Sequence, residues 1–207
     1  MNDPRAPKDA IKRKTEVEDA ELSAVYGKAA PTARPRNIFL VGPRGSGKTT
    51  VGRLAAQRLG LEFADTDALL GDRAGSTIAD FVAAHGWDAF RDLEHAVLQD
   101  VCAREGQVVA TGGGIVLRED NRALLKAHGL TVYLMADVPT LLARLENDPN
   151  AAQRPALTDS PLRQEISAVL NEREPLYFAV ADAVLQASRR AEELAEDVEE
   201  KARLEFG

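Results

Sequence analysis

The sequence has a single cysteine, Cys102, so no intramolecular disulfide can form, which fits a reducing compartment such as the cytoplasm. Cys102 falls in a segment of helical periodicity and reads as a packing residue. Positive charge is also in deficit. The formal net charge is −7, so no general positive field favours nucleic acid or an anionic membrane, and neither is expected as a partner. An anionic substrate must then be met by local arginines. No uncharged apolar run is long enough to span a bilayer, and the first residues lack the apolar core of a secretory signal. There is no internal repeat. What remains is ordinary for a globular protein: 44% apolar and 29% charged residues in 207, enough for one α/β domain with a sizeable core.

The most informative stretch is Gly42-Pro43-Arg44-Gly45-Ser46-Gly47-Lys48-Thr49, which fits the P-loop pattern G-x-x-x-x-G-K-[ST]. The flanks suit it. Asn37 to Val41 is a short apolar run that predicts a buried strand, and Val51, Leu54, Ala55 and Leu59 recur at helical spacing up to a stop at Gly60. In such a loop, glycines let backbone N–H groups converge on a polyphosphate, and the helix N-terminus favours an anion. Lys48 can reach the β- and γ-phosphates, and the Thr49 hydroxyl can ligate Mg²⁺.

A second strand, Leu61 to Ala64, ends in Asp65-Thr66-Asp67. If the segment stays extended, both carboxylates face one way at a strand end, where one can serve Mg²⁺ and the other can accept a hydroxyl proton. The same residues also suit the N-cap of a following helix. A helix start is expected at Ser76-Thr77-Ile78, and Gly86 to Cys102 predicts a longer helix with Trp87, Phe90, Glu94, Leu98 and Val101 on one side. Arg91 lies at the edge of that stripe, where it can pair with Glu94 or reach water. The strand Gln107 to Ala110 runs into Thr111-Gly112-Gly113-Gly114, either a flexible turn or a place where backbone approaches a ligand closely.

Helical residues 119–127 lead to a strand over Leu130 to Met135 and a helix opening at Asp137. Residues 146–161 are polar and aperiodic, which suits an active-site lid or a surface loop; Arg144 and Arg154 flank and occupy it. In the next helix Arg173 falls on the apolar stripe of Leu162, Ile166, Val169 and Leu170. An inward arginine needs an anion, whether a structural carboxylate or a ligand's. The last strand, Ala183 to Gln186, precedes a charged amphipathic helix. Residues 1–36 stand apart as a charged extension, helical or disordered.

In this order the chain carries GPRGSGKTT, DTD, FRDLE (Phe90–Glu94), ATGGG (Ala110–Gly114), RPAL (Arg154–Leu157) and REPLY (Arg173–Tyr177), and in this it resembles shikimate kinase over roughly residues 37 to 190. The resemblance implies a P-loop NMP-kinase-like three-layer sandwich, with a five-stranded parallel sheet in a kinase domain of residues 37–207 and a mobile lid at about 146–161. It implies ATP and Mg²⁺, with phosphoryl transfer to the 3-hydroxyl of shikimate on the route to chorismate and the aromatic amino acids. Lys48 and Asp67 would be catalytic, Asp67 as the base. Gly45, Ser46, Gly47, Lys48, Thr49, Thr50, Arg154 and Arg190 would hold the nucleotide, and Arg144 would lie on its side of the cleft. Thr49 and Asp65 would hold Mg²⁺. Asp67, Arg91, Gly112, Gly113, Gly114 and Arg173 would bind shikimate. A cytoplasmic monomer is expected. Two other readings are a kinase for an open-chain acid such as gluconate and a nucleotide-binding regulator without catalysis.

Overall fold

The computed structural model describes residues 36–147 and 161–207. Residues 1–35 of the expected N-terminal extension and residues 148–160 of the expected lid, Arg154 among them, lie outside the described residues. The unit Arg36–Gly207 is described by itself.

Its core is a five-stranded, all-parallel sheet: β1 (Asn37–Val41), β2 (Glu62–Asp65), β3 (Gln107–Ala110), β4 (Gly129–Met135) and β5 (Ala183–Gln186), in the order β2-β3-β1-β4-β5. Parallel neighbours need crossovers, and helices supply them. These are α1 (Lys48–Leu59), α2 (Thr66–Ala74), α3 (Ile78–Cys102), α4 (Glu119–His128), α5 (Val138–Glu146), α6 (Leu162–Val180) and α7 (Ala191–Phe206). The expected boundaries hold to within a residue or two. Gly60 ends α1 in the left-handed conformation, Thr77 caps α3 by accepting from Asp80 N at 3.1 Å, and Asp137 caps α5 at 2.9 Å from Thr140 N. Gly86, at φ 82° and ψ 170°, breaks α3 into the two helical pieces that the sequence separates.

The central strand shows why its apolar run is continuous. Ile38 and Leu40 point into one helical layer, with Val51 and Ala55 of α1 and Leu194 and Val198 of α7. Phe39 and Val41 point into the other, with Leu98 and Val101 of α3, Leu125 of α4 and Tyr177 of α6. A strand covered on both faces needs apolar residues at every position. Each of these side chains is fully buried or nearly so, and a buried Leu or Phe is worth about 1.5–3 kcal/mol in water transfer.

The strand order decides the position of the site. β1 is flanked by β3 on one side and β4 on the other, so successive segments leave the sheet in opposite directions at its carboxyl edge. Such a crevice is where open α/β sheets receive ligands.

Candidate active site

Three motifs leave that edge side by side. Leu40, Ala110 and Asp65 are in register across β1, β3 and β2, so the P-loop, the glycine turn and the Asp-Thr-Asp segment begin at one level. Hydroxyls tie them together. Thr111 Oγ1 donates to Leu40 O at 2.9 Å, which binds the glycine turn to the central strand. Thr66 Oγ1 accepts from Gly112 N at 2.9 Å, which binds it to the start of α2. Both threonines are buried, and sequence reading gave neither a role. Their only signal is a hydroxyl at a strand end.

The P-loop has the shape its pattern requires. Gly47 caps α1 at φ 95°, and a Cβ on Gly42, at φ 144°, would stand 2.7 Å from Leu134 O. Lys48 is buried, with Nζ donating to Gly42 O and Pro43 O at 2.8 Å each. The ammonium thus lies over the carbonyls of its own loop. Thr49 Oγ1 donates to Asp65 Oδ2 at 2.8 Å. Gly45, Gly47, Lys48, Thr49 and Thr50 line the cleft, whereas Ser46 is fully buried beneath the loop.

Of the two readings open for Asp65-Thr66-Asp67, the structure takes the helix cap. Asp65 ends β2 and caps α2, its Oδ1 accepting from Asp67 N at 3.0 Å and Ala68 N at 3.4 Å. Asp67 is in the first helical turn, where a carboxylate also suits the positive end of the helix. Capping does not remove either residue from the cleft, which both line. One oxygen of Asp65 serves the helix while the other meets Thr49.

Across the cleft stand two arginines and a buried carboxyl. Arg91 Nη1 donates to Glu94 Oε2 at 2.7 Å, and its guanidinium lies 5.4 Å from the Trp87 ring centroid and 5.0 Å from that of Phe90. The exposed alternative for Arg91 is therefore not taken. Glu94 is 2% exposed. Burial pushes its carboxyl above the usual glutamate range and Asp67 adds to this, while Arg91 and Arg173 pull it down. Arg173, 8% exposed, reaches Gly113 O only at 3.4 Å. Its Nε is buried with no hydrogen-bond partner among the described residues. An orphaned guanidinium donor beside a cleft fits an anion that binds there.

The glycine turn separates these groups, and it must be glycine. A Cβ on Gly112 would stand 2.6 Å from Asp67 Oδ1 and 3.1 Å from Glu94 Oε1. A Cβ on Gly114 would stand 2.6 Å from Arg91 Cζ. The base candidate, the buried carboxyl and one arginine thus press on a backbone with no side chain of its own. Tyr177, which sequence reading passed over, closes the turn from behind by donating to Gly113 O at 2.5 Å. Its spacing of four from Arg173, one helical turn on the same face, was the available signal.

The P-loop, both aspartates, the glycine turn, Glu94 and the two arginines line a cleft of about 880 Å³, phosphate-binding loop at one end and arginine pair at the other. Two arginines expected on the nucleotide side, Arg190 and Arg144, are not among the residues that line it. Arg190 caps α7 on the surface, with Nε 3.6 Å from Glu192. Arg144 lies behind the P-loop, donating to Gly45 O at 3.1 Å and Ala187 O at 2.6 Å, and so braces the loop against the segment after β5. Among the described residues, no helix is long and apolar enough to cross a membrane.

The family model for shikimate kinase matches residues 44–203. The chain is 50% identical over 161 residues to a shikimate kinase from Nitratidesulfovibrio vulgaris, covering 78% of this chain and 92% of that protein. It is 53% identical over 152 residues to shikimate kinase 2 from Dickeya chrysanthemi, covering 73% and 87%. The solved structure of shikimate kinase from Acinetobacter baumannii in complex with shikimate superposes with a TM-score of 0.77 at 36% identity, over 82% of this chain and 94% of that one.

Proposed function

The chain belongs to the shikimate kinase family, and from that membership we propose that its cleft transfers the γ-phosphoryl group of ATP to the 3-hydroxyl of shikimate. The observation that carries the reading is the facing of unlike ends. A lysine-bearing phosphate loop and Asp67 meet across a turn from Arg91 and the partly unsatisfied Arg173.

In this reading the P-loop N–H groups and the N-terminus of α1 hold the nucleotide phosphates. Lys48 exchanges the carbonyls of Gly42 and Pro43 for phosphate oxygens. Arg91 and Arg173 take the shikimate carboxylate, whose charge supplies the anion that Arg173 Nε lacks. The carboxylate anchor presents the ring hydroxyls to Asp67, which accepts the proton of the 3-hydroxyl. As that oxygen bonds to the γ-phosphorus, the bond to the β–γ bridging oxygen breaks and ADP leaves. Positioning and charge stabilisation supply most of the acceleration in such transfers.

The Thr49 hydroxyl and the Asp65 carboxylate, paired at 2.8 Å beside the P-loop, form a hard oxygen donor set that fits Mg²⁺. When bound, Mg²⁺ neutralises phosphate charge. The net charge of −7 and the lone cysteine support a cytoplasmic enzyme without nucleic-acid or membrane partners.

The test is ADP release from ATP and Mg²⁺ with shikimate, the phosphorylated product being identified. Shikimate 3-phosphate formed in equal amount with ADP is expected. Equal turnover of gluconate would favour the open-chain reading, and tight binding of both ligands without product would favour a regulator. Both acids carry a carboxylate that the arginine pair could hold, so it is the family membership that favours shikimate over gluconate.

A further inference from the structure

The residue that holds the glycine turn in place carries no role in the reading above. We infer that Tyr177 is a positioning residue for shikimate: its hydroxyl, bonded to Gly113 O, presets the turn that spaces Asp67, Arg91 and Arg173. The inference rests on the proposed function, since it concerns how the same site meets the same acid.

Three consecutive glycines have the largest conformational freedom of any tripeptide segment, so this turn needs anchors. Gly112 has two. Its N–H donates to Thr66, and its carbonyl accepts from Ile115 N at 3.2 Å. The Gly114 carbonyl accepts from Leu117 N at 3.0 Å, inside the short 3₁₀ turn Ile115–Leu117. The Gly113 carbonyl alone is held by side chains of α6. Tyr177 donates to it at 2.5 Å and Arg173 at the longer 3.4 Å.

The consequence spreads through the peptide plane. A trans peptide points its N–H away from its carbonyl, so fixing Gly113 O toward α6 aims the Gly114 N–H to the opposite side. It also sets the Cα of Gly114, against which the Arg91 guanidinium packs. The shared carbonyl keeps Arg173 in step with the same turn. Without the hydroxyl, Gly113 O would be left to Arg173, the group this reading assigns to the substrate.

The phenol suits a permanent donor. Tyr177 is fully buried, stacked on Tyr133 with ring centroids 5.0 Å apart. Burial raises its ionisation above the usual phenol range, which outweighs the opposing pull of Arg173 and favours the protonated, donating hydroxyl.

Tyr177→Phe keeps the ring and the stack and removes only this donor. With one neutral hydrogen bond lost, the shikimate KM is expected to rise about three- to tenfold, while the ATP KM stays at its parent value. Tyr133→Phe removes a hydroxyl from the same stack, where it meets Glu174 at 3.4 Å and not the turn, so both KM values should match the parent. A purely structural hydroxyl would lower the melting temperature of Tyr177→Phe and leave the shikimate KM unmoved. That result would overturn the inference, as would equal rises in both KM values or a variant that does not fold. Absence of shikimate-dependent ADP release in the parent enzyme would instead refute the proposed function, and is read before any variant is made.

Discussion

The contact between Gly114 and Arg91 can be tested with one methyl group. At φ −95° and ψ −1°, Gly114 has a backbone that alanine adopts without strain, so Gly114→Ala perturbs space alone. The new Cβ would lie 2.5 Å from Arg91 Nη2 and 2.6 Å from Cζ, closest of all to Nη1. Non-bonded atoms rest at about 3.5–4 Å, so the guanidinium must retreat by about 1 Å or more. Glu94 at 2.7 Å and the rings of Trp87 and Phe90 hold it where it is, so a retreat into the open cleft means leaving these partners. Crowding of this kind costs about 1–3 kcal/mol of stability. At about 2–4 °C per kcal/mol for a domain of this size, melting should fall by about 2–12 °C. The functional loss is separate. An arginine moved off a carboxylate forfeits charge-assisted hydrogen bonds worth about 1.5–3 kcal/mol, or about 10- to 150-fold in the shikimate KM. The assay is coupled ADP release with shikimate varied at saturating ATP, then the reverse, alongside thermal melting. Gly60→Ala is the control: at φ 66°, with nothing within 4 Å, it should cost stability through backbone strain of about 1–2 kcal/mol and leave both KM values alone. If Gly114→Ala left the shikimate KM within about twofold of the parent, the turn would not constrain Arg91 and the argument would fail.

Asp67→Asn should fold and bind ATP but lose about 10²- to 10⁴-fold in turnover, measured by single-turnover product formation; near-normal turnover would remove Asp67 as the base. Arg173→Ala should raise the shikimate KM about 10- to 150-fold with the ATP KM little changed, and lysine should not restore it because a point charge cannot replace the fork. An unmoved shikimate KM in Arg173→Ala would dissociate that residue from the acid. The buried carboxyl has a signature of its own. Because the folded state raises the ionisation of Glu94 above 4.5, its stabilising share is full below 4.5 and is lost as pH climbs through the raised value. Glutamine does not ionise, so the melting temperature of Glu94→Gln relative to the parent should move in the variant's favour from about pH 4 to about pH 7. A constant or falling difference would mean that Glu94 is not strained by its burial.

Much of this protein was legible in its residue order because the deciding physics was local. The continuous apolar run Asn37 to Val41 could only be a strand covered on both faces, and β1 is one. The glycines, lysine and threonine of the P-loop, the caps Thr77 and Asp137, and the break at Gly86 depend on neighbours a few residues away, so they read directly. So did the inward aim of Arg173, which follows from helical periodicity. The Asp-Thr-Asp segment stayed open between two readings because an extended strand end and a helix cap share their residue types; the choice fell to the helix, whose first N–H groups needed Asp65.

Composition, the local elements and the phosphate-binding loop were thus settled by the chain's own order. The tertiary structure alone decided that β3 lies between β2 and β1, which brings three motifs dozens of residues apart to one edge. It alone returned α6 to the glycine turn, so that Tyr177 meets a carbonyl 64 positions earlier and Glu94 is buried against the arginine that partners it. Hydrogen bonds between distant segments leave no periodic trace in a sequence, because the residues that make them are related only through the order in which strands pack.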